Sequence, residues 1–184
     1  MTGCGGHEVP AGGQHPGRQD PGGGRVPEPA GGSAATGRVL RLRGQVLVDG
    51  AASGPLLKLD EPLSFWGGLD PAGGCIIDRR HPQCGRSVAG HVLLMPGGRG
   101  SSSSSTVLAE AIRLGTGPAA ILLTSPDGII ALGALVAREL YGRACPVVVV
   151  DPAAWPEEAP DGAGVAVDPG GFVHVGVQLT DGDG

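Results

Sequence analysis

The chain has 184 residues, 36 of them glycine and 17 proline, is 40% hydrophobic but only 3% aromatic, and carries a net charge of −5. This length suits one domain whose core is built from Val, Leu, Ile and Ala with many turns, and the acidic balance without a basic stripe argues against a general nucleic-acid binder. The single lysine, Lys58, leaves no room for a P-loop, whose phosphate grip ends in Gly-Lys-Ser/Thr, and little for Schiff-base chemistry. No apolar run reaches membrane-spanning length and no leader pattern is visible, so a soluble cytoplasmic protein is expected. Cys4, Cys75, Cys84 and Cys145 are widely spaced, without a C-x-x-C pair. They read as reduced or buried thiols instead of a disulfide framework or a zinc site, although Cys75 and Cys84 are near enough in sequence to pair.

Residues 1–36 are dominated by Gly, Pro and small polar residues and read as a disordered tail. An ordered α/β domain is expected over residues 37–180, followed by a short frayed tail at 181–184. GRVLRLRGQVLVD, from Gly37 to Asp49, alternates enough to predict one or two strands with Gly44 as a bulge or turn, and a further strand follows over Pro55 to Asp60. Glu61 to Gly74 is a loop that concentrates aromatic surface in Phe65 and Trp66. Large rings in a loop either plug the end of a core or line a cleft or partner surface, and the plug is the favoured reading. Ser64 and Asp70 either help shape such a cleft or make a structural turn. Cys75 to Asp78 predicts a short strand. His81 beside Arg79 and Arg80 reads as a solvated loop histidine, and His91 as a packed strand-end residue.

HVLLMPGGRGSSSSSTVLAEAIRLG, from His91 to Gly115, has the shape of a site. His91 to Met95 predicts a buried strand, closed by Pro96. Gly97, Gly98 and Gly100 allow a sharp turn and close approach to a ligand, with Arg99 as its one charge. From about Thr106 the apolar residues Val107, Leu108, Ala111 and Ile112 share one helical face, Glu110 and Arg113 can pair, Gly115 stops the helix, and one of the serines is expected to cap it. The free N–H groups and positive dipole end of such a helix attract a carboxylate or phosphate, and Arg99 adds a forked donor. A serine here can hold substrate or take part in proton transfer; the competing reading is a polar linker and cap. Beyond it, Ala119 to Leu123 predicts a buried strand, Ile129 to Leu140 a helix capped by Asp127 and ended by Gly142, and Pro146 to Asp151 another strand. Strand and helix alternate, which calls for parallel pairing in a sheet covered on both faces, with the loop at a strand's carboxyl end. Val165 to Val167 and Phe172 to Val177, around Asp168-Pro169-Gly170-Gly171, predict a terminal hairpin.

EPLSFWGGLDP (Glu61 to Pro71), HPQCGRSVAGHVLLMPGGRGSSSSS (His81 to Ser105) and the VLAEAIRLGTGPAAILL, IIALGALVARELYG and CPVVVV segments, in this order, resemble the aconitase X swivel-domain family, the small subunit or domain of aconitase X type dehydratases. The resemblance covers about Gly37 to Val150. It implies a swivelling β/β/α domain that closes over a large catalytic subunit to form a hydro-lyase, the large subunit carrying an iron–sulfur cluster through its own cysteines. The family's proton acceptor, the first serine after the Gly-Arg-Gly turn, maps onto Ser101. Arg99, Gly100 and Ser102 become the substrate-binding candidates, and no residue is a metal candidate. The resemblance implies two substrates, cis-3-hydroxy-L-proline in bacteria and phosphomevalonate in archaea. The Gly/Ala/Arg-rich composition resembles that of a GC-rich bacterial genome and favours the first. A reading of another class also stands: a swivel module that binds an anion or a partner without chemistry of its own.

Overall fold

A computed structural model describes residues 37–178. The expectations for residues 1–36 and 181–184 fall outside the described residues.

The chain forms β1 (Gly37–Arg43), β2 (Gln45–Val48) and β3 (Ala52–Lys58), a kinked turn α1 (Phe65–Gly68), then the short strands β4 (Leu69–Asp70) and β5 (Cys75–Ile76). It continues through β6 (Val92–Met95), α2 (Ser104–Leu114), β7 (Ala120–Leu123), α3 (Gly128–Tyr141) and β8 (Val147–Val149) to the hairpin of β9 (Gly164–Asp168) and β10 (Phe172–Gln178). Eight strands make one sheet in the order β1-β10-β9-β3-β6-β7-β8-β2. β3, β6, β7 and β8 run parallel, as the alternation of strands and helices requires, while the other pairings are antiparallel.

β1 and β2 lie at opposite edges of this sheet, yet only Gly44 separates them in sequence. The sheet must therefore curl until its edges come together at that residue. Gly44 permits it: its N–H donates to the Gly171 carbonyl at 2.9 Å, and an added Cβ would overlap Val148 and the carbonyl of Val149.

Side-chain alternation then divides the core in two. Leu56, Val92, Leu94, Ala120, Leu122 and Val148 point into the curl, where Val165, Val167, Val173 and Val175 meet them. The intervening residues Leu57, Leu93, Met95, Ile121 and Leu123 point outward, under Leu108, Ala111 and Ile112 of α2 and Ile130 and Ala134 of α3. Both faces of the parallel strands are thus covered, which is why they read as unbroken aliphatic runs. α2 and α3 approach closely where Gly133 faces Leu108 and the Ser105 carbonyl.

The predicted helix signals hold in detail. Asp127 caps α3 by accepting from the N–H groups of Ile129 and Ile130, Gly115 and Gly142 end the helices in left-handed conformation, and Arg113 grips Glu110 through two 2.7 Å hydrogen bonds. Others shift. α2 begins at Ser104, and Ser103, its N-cap, makes no side-chain capping bond. The strand expected over Cys75 to Asp78 is only two residues long. Cys84 and Cys145 are free thiols, but Cys75 is disulfide-bonded, so the expectation of reduced thiols fails there. Burial pushes the Cys145 thiol up to about 12. Among the described residues no helix is long and apolar enough to cross a membrane.

Candidate active site

The carboxyl end of β6 opens into Pro96-Gly97-Gly98-Arg99-Gly100-Ser101, and the loop is sewn to its surroundings through its backbone. Gly98 N–H donates to Asp127 Oδ2 at 2.9 Å, Arg99 N–H donates to the Leu63 carbonyl at 3.3 Å, and the Pro96 carbonyl accepts from Ser125 Oγ at 2.8 Å. Gly100 turns the chain with φ of +93°, and an added Cβ would crowd Ser64 Oγ at 3.0 Å. Only glycine meets both demands.

Ser101 follows, exposed, at the amino end of α2. Its Oγ accepts from Ser103 N–H at 3.2 Å, which leaves its own proton and remaining lone pair directed elsewhere. The amides of Gly100, Ser101 and Ser102 have no hydrogen-bond partner among the described residues. Together with the helix dipole they make a positive seat for an anion, and they lower the cost of negative charge on Ser101. The later serines differ in role. Ser104, 3% exposed, accepts from Trp66 N–H at 3.2 Å and ties the aromatic loop to α2, while Ser105 Oγ donates to the Ser102 carbonyl at 2.8 Å.

Arg99 does not stand alone. Its Nη2 donates to Asp78 Oδ2 at 2.6 Å, and its Nη1 lies 3.7 Å from Glu61 Oε2. The Arg80 N–H and then the Arg99 guanidinium hold the Asp78 carboxyl below its ordinary range. The three carboxylates around the loop, Glu61, Asp78 and Asp127, carry no sequence signal for this role. They arrive from separate loops, and only Asp127 shows a motif, that of a cap.

A cleft of about 60 Å³ is lined by Arg99, Gly100, Ser101, Ser104, Asp127 and Ile129. The structure thus brings together all the predicted loop residues except Ser102, which stands exposed beside it. Ordinary small-molecule sites enclose roughly 300 Å³ or more, so this cleft is small for one.

The aromatic pair splits. Phe65 is fully buried and is the expected core plug, whereas Trp66 is 59% exposed on the loop side. Ser64 Oγ donates to the Trp66 carbonyl at 2.8 Å and abuts Gly100. Asp70 only closes a turn, accepting from the N–H groups of Ala72 and Gly73. His81 corrects its reading: it is 2% exposed, its Nδ1 accepts from Gln83 N–H, and its Nε2 faces the Glu61 carbonyl at 3.2 Å. Both ring nitrogens pin backbone, so it is neither solvated nor available as an acid or base. His91, half-buried, bonds the Ala89 carbonyl at 3.0 Å, as a packed strand-end residue does. No group of three or more His, Cys, Asp or Glu side chains among the described residues is placed to hold a metal ion. These residues therefore do not fit an iron–sulfur cluster.

Comparison with known proteins places this architecture. Residues 41–175 match the family described as the aconitase X swivel domain, extending the resemblance through the terminal hairpin. A cis-3-hydroxy-L-proline dehydratase of Pseudomonas aeruginosa is 55% identical over 103 residues, 56% of this chain but only 18% of that protein's length. A phosphomevalonate dehydratase small subunit of Methanothermobacter thermautotrophicus is 47% identical over 93 residues, 50% of this chain and 71% of that one. The crystal structure of Thermococcus kodakaraensis aconitase X in its holo form superposes with a TM-score of 0.65 at 32% identity, covering 74% of this chain and 98% of the other. The chain belongs to the aconitase X swivel-domain family.

Proposed function

We propose that this chain is the swivel subunit of a cytoplasmic aconitase X type hydro-lyase that dehydrates a small hydroxy acid, with cis-3-hydroxy-L-proline as the substrate, in a complex with a large catalytic subunit. The observation that carries the reading is Ser101 itself, set at the amino end of a helix beside Arg99 in a cleft too small to enclose a substrate alone. Ser101 Oγ acts as the alkoxide, its own proton released to solvent before closure and its charge eased by the Ser103 amide and the helix dipole; it takes the proton from the carbon next to the substrate carboxylate and returns to a hydroxyl as the substrate's hydroxyl leaves. Arg99, Gly100 and Ser102 hold the carboxylate and the negative charge that develops on it. Closure of the domain on its partner excludes water. The iron–sulfur cluster is assigned to the large subunit, as the family resemblance implies.

Charge supports the choice of substrate. Arg99 pairs with Asp78 and Glu61 and shares its cleft with Asp127, an acidic setting that suits an amino acid bearing a cationic ring nitrogen. The similarity to the cis-3-hydroxy-L-proline dehydratase of Pseudomonas aeruginosa points the same way. One observation favours phosphomevalonate as the second reading: the chain spans 71% of a separate small subunit of that enzyme.

The test is to co-express the chain with an aconitase X large subunit, purify the complex anaerobically and follow both substrates in parallel. Loss of cis-3-hydroxy-L-proline with wild type and not with Ser101→Ala supports the reading. Turnover of phosphomevalonate alone selects the second, and failure to associate with the large subunit selects the non-catalytic binding module.

A further inference from the structure

Asp127 does more than cap a helix. Its Oδ1 accepts from the N–H groups of Ile129 and Ile130 at 2.8 and 3.0 Å, while its Oδ2 accepts from Gly98 N–H at 2.9 Å. One carboxylate therefore joins the first turn of α3 to the loop that carries Ser101. The two segments are 29 residues apart in sequence. On this side Ser125 Oγ holds only the start of the loop, at the Pro96 carbonyl; beyond it Arg99 N–H is bound to the opposite wall, at Leu63, and Gly100, Ser101 and Ser102 make no backbone bond to a neighbouring element through their N–H groups among the described residues. Contact is close on this side. An added Cβ on Gly98 would lie 2.8 Å from Asp127 Oδ2 and 3.2 Å from Ile130, so the loop rests directly on the α3 terminus.

We infer that Asp127 is a positioning residue that sets the place of Ser101 relative to substrate by holding Gly98 against the rigid end of α3, an inference that rests on the dehydratase reading for its catalytic consequence. The chemistry separates its two roles. A helix cap needs one acceptor, which Asn and Ser also supply. The tie to Gly98 needs a second acceptor on the same side chain, which neither offers: the Asn amide nitrogen would face the Gly98 N–H as donor against donor, and the Ser hydroxyl is too short to reach both.

The experiment compares Asp127→Asn and Asp127→Ser with wild type in two measurements. In the chain, amide hydrogen exchange is followed residue by residue. Exchange at Gly98 is expected to rise about tenfold or more while Ile130 keeps its protection. In the complex with the large subunit, kcat for cis-3-hydroxy-L-proline is expected to fall by about tenfold to a hundredfold. The deuterium isotope effect for substrate labelled next to the carboxylate is expected to rise, because proton removal becomes slower relative to the other steps. A fall in the folded fraction would lower kcat without changing the isotope effect. Unchanged exchange at Gly98 overturns the tie, and an unchanged kcat or isotope effect with raised exchange overturns the positioning role. A wild-type complex inert toward both substrates sinks the dehydratase reading instead, and the exchange measurement then decides the tie by itself.

Discussion

The interior of the curled sheet and the rim at the carboxyl ends of its parallel strands are built on opposite terms. Inside, Leu56, Val92, Leu94, Leu122, Val165 and Val175 present only aliphatic surface, and any of them is held by many small contacts shared among neighbours. At the rim the order is carried by single hydrogen bonds between distant segments: Gly98 to Asp127, Arg99 to Leu63 and Asp78, Trp66 to Ser104. The interior tolerates no loss of volume but many changes of identity. The rim tolerates the reverse, since each bond has one donor and one acceptor that no neighbour replaces.

The sharpest break in that comparison is Ser101→Ala, which should lower kcat by about 10²- to 10⁴-fold with no change in melting temperature, because the Ser101 side chain is exposed and supports only the Ser103 amide. Leu122→Ala should do the converse, costing about 2–5 kcal/mol of stability from a fully buried position, read by denaturant titration, while the assembled complex keeps its KM. Gly44→Ala tests where the two regions depend on each other. Its Cβ overlaps β8, and about 1–3 kcal/mol of destabilisation is expected from the overpacking.

A smaller effect concerns Asp78. Its carboxyl is lowered first by the Arg80 N–H and second by Arg99. A lowered carboxyl contributes stability that is present above its ordinary value of 3.8 and is lost as the pH falls through the folded value. The pair with Arg99 therefore stays charged at every pH above that window, and no transition from it is expected between neutral pH and pH 5. In Arg99→Ala, NMR titration of the Asp78 carboxyl should show only a partial return upward, because the larger cause remains. A full return would mean that the side-chain pair, not the backbone, governs this corner. Least disruptive is thiol labelling at neutral pH, expected at exposed Cys84 and absent at Cys145, whose burial suppresses the thiolate.

Much of the candidate site was legible because glycine and serine declare local conformation. The left-handed turn at Gly100, the helix beginning among the serines and its end at Gly115 all follow from backbone preferences that act within a few residues. The resemblance then assigned Ser101 a role that composition left open between catalysis and capping. What stayed hidden were partnerships across loops. Arg99 looked like a free cation from its own loop, and its two carboxylates come from Glu61 and Asp78. His81 looked solvated beside two arginines, and it is buried with both nitrogens on backbone.

The strands and helices of the parallel unit, the glycine turn, the Asp127 cap, the left-handed helix ends and the aliphatic character of the core follow from the sequence alone, because periodicity and local backbone energetics act over short spans. Tertiary structure alone decided that β1 and β2 part at Gly44 to opposite edges of one sheet, that Trp66 faces outward while Phe65 faces in, and that Asp127 reaches Gly98 as well as its own helix. Each of these depends on which distant backbone donors and acceptors are brought within about 3 Å of one another, a distance that the closing of the sheet sets and no local pattern encodes.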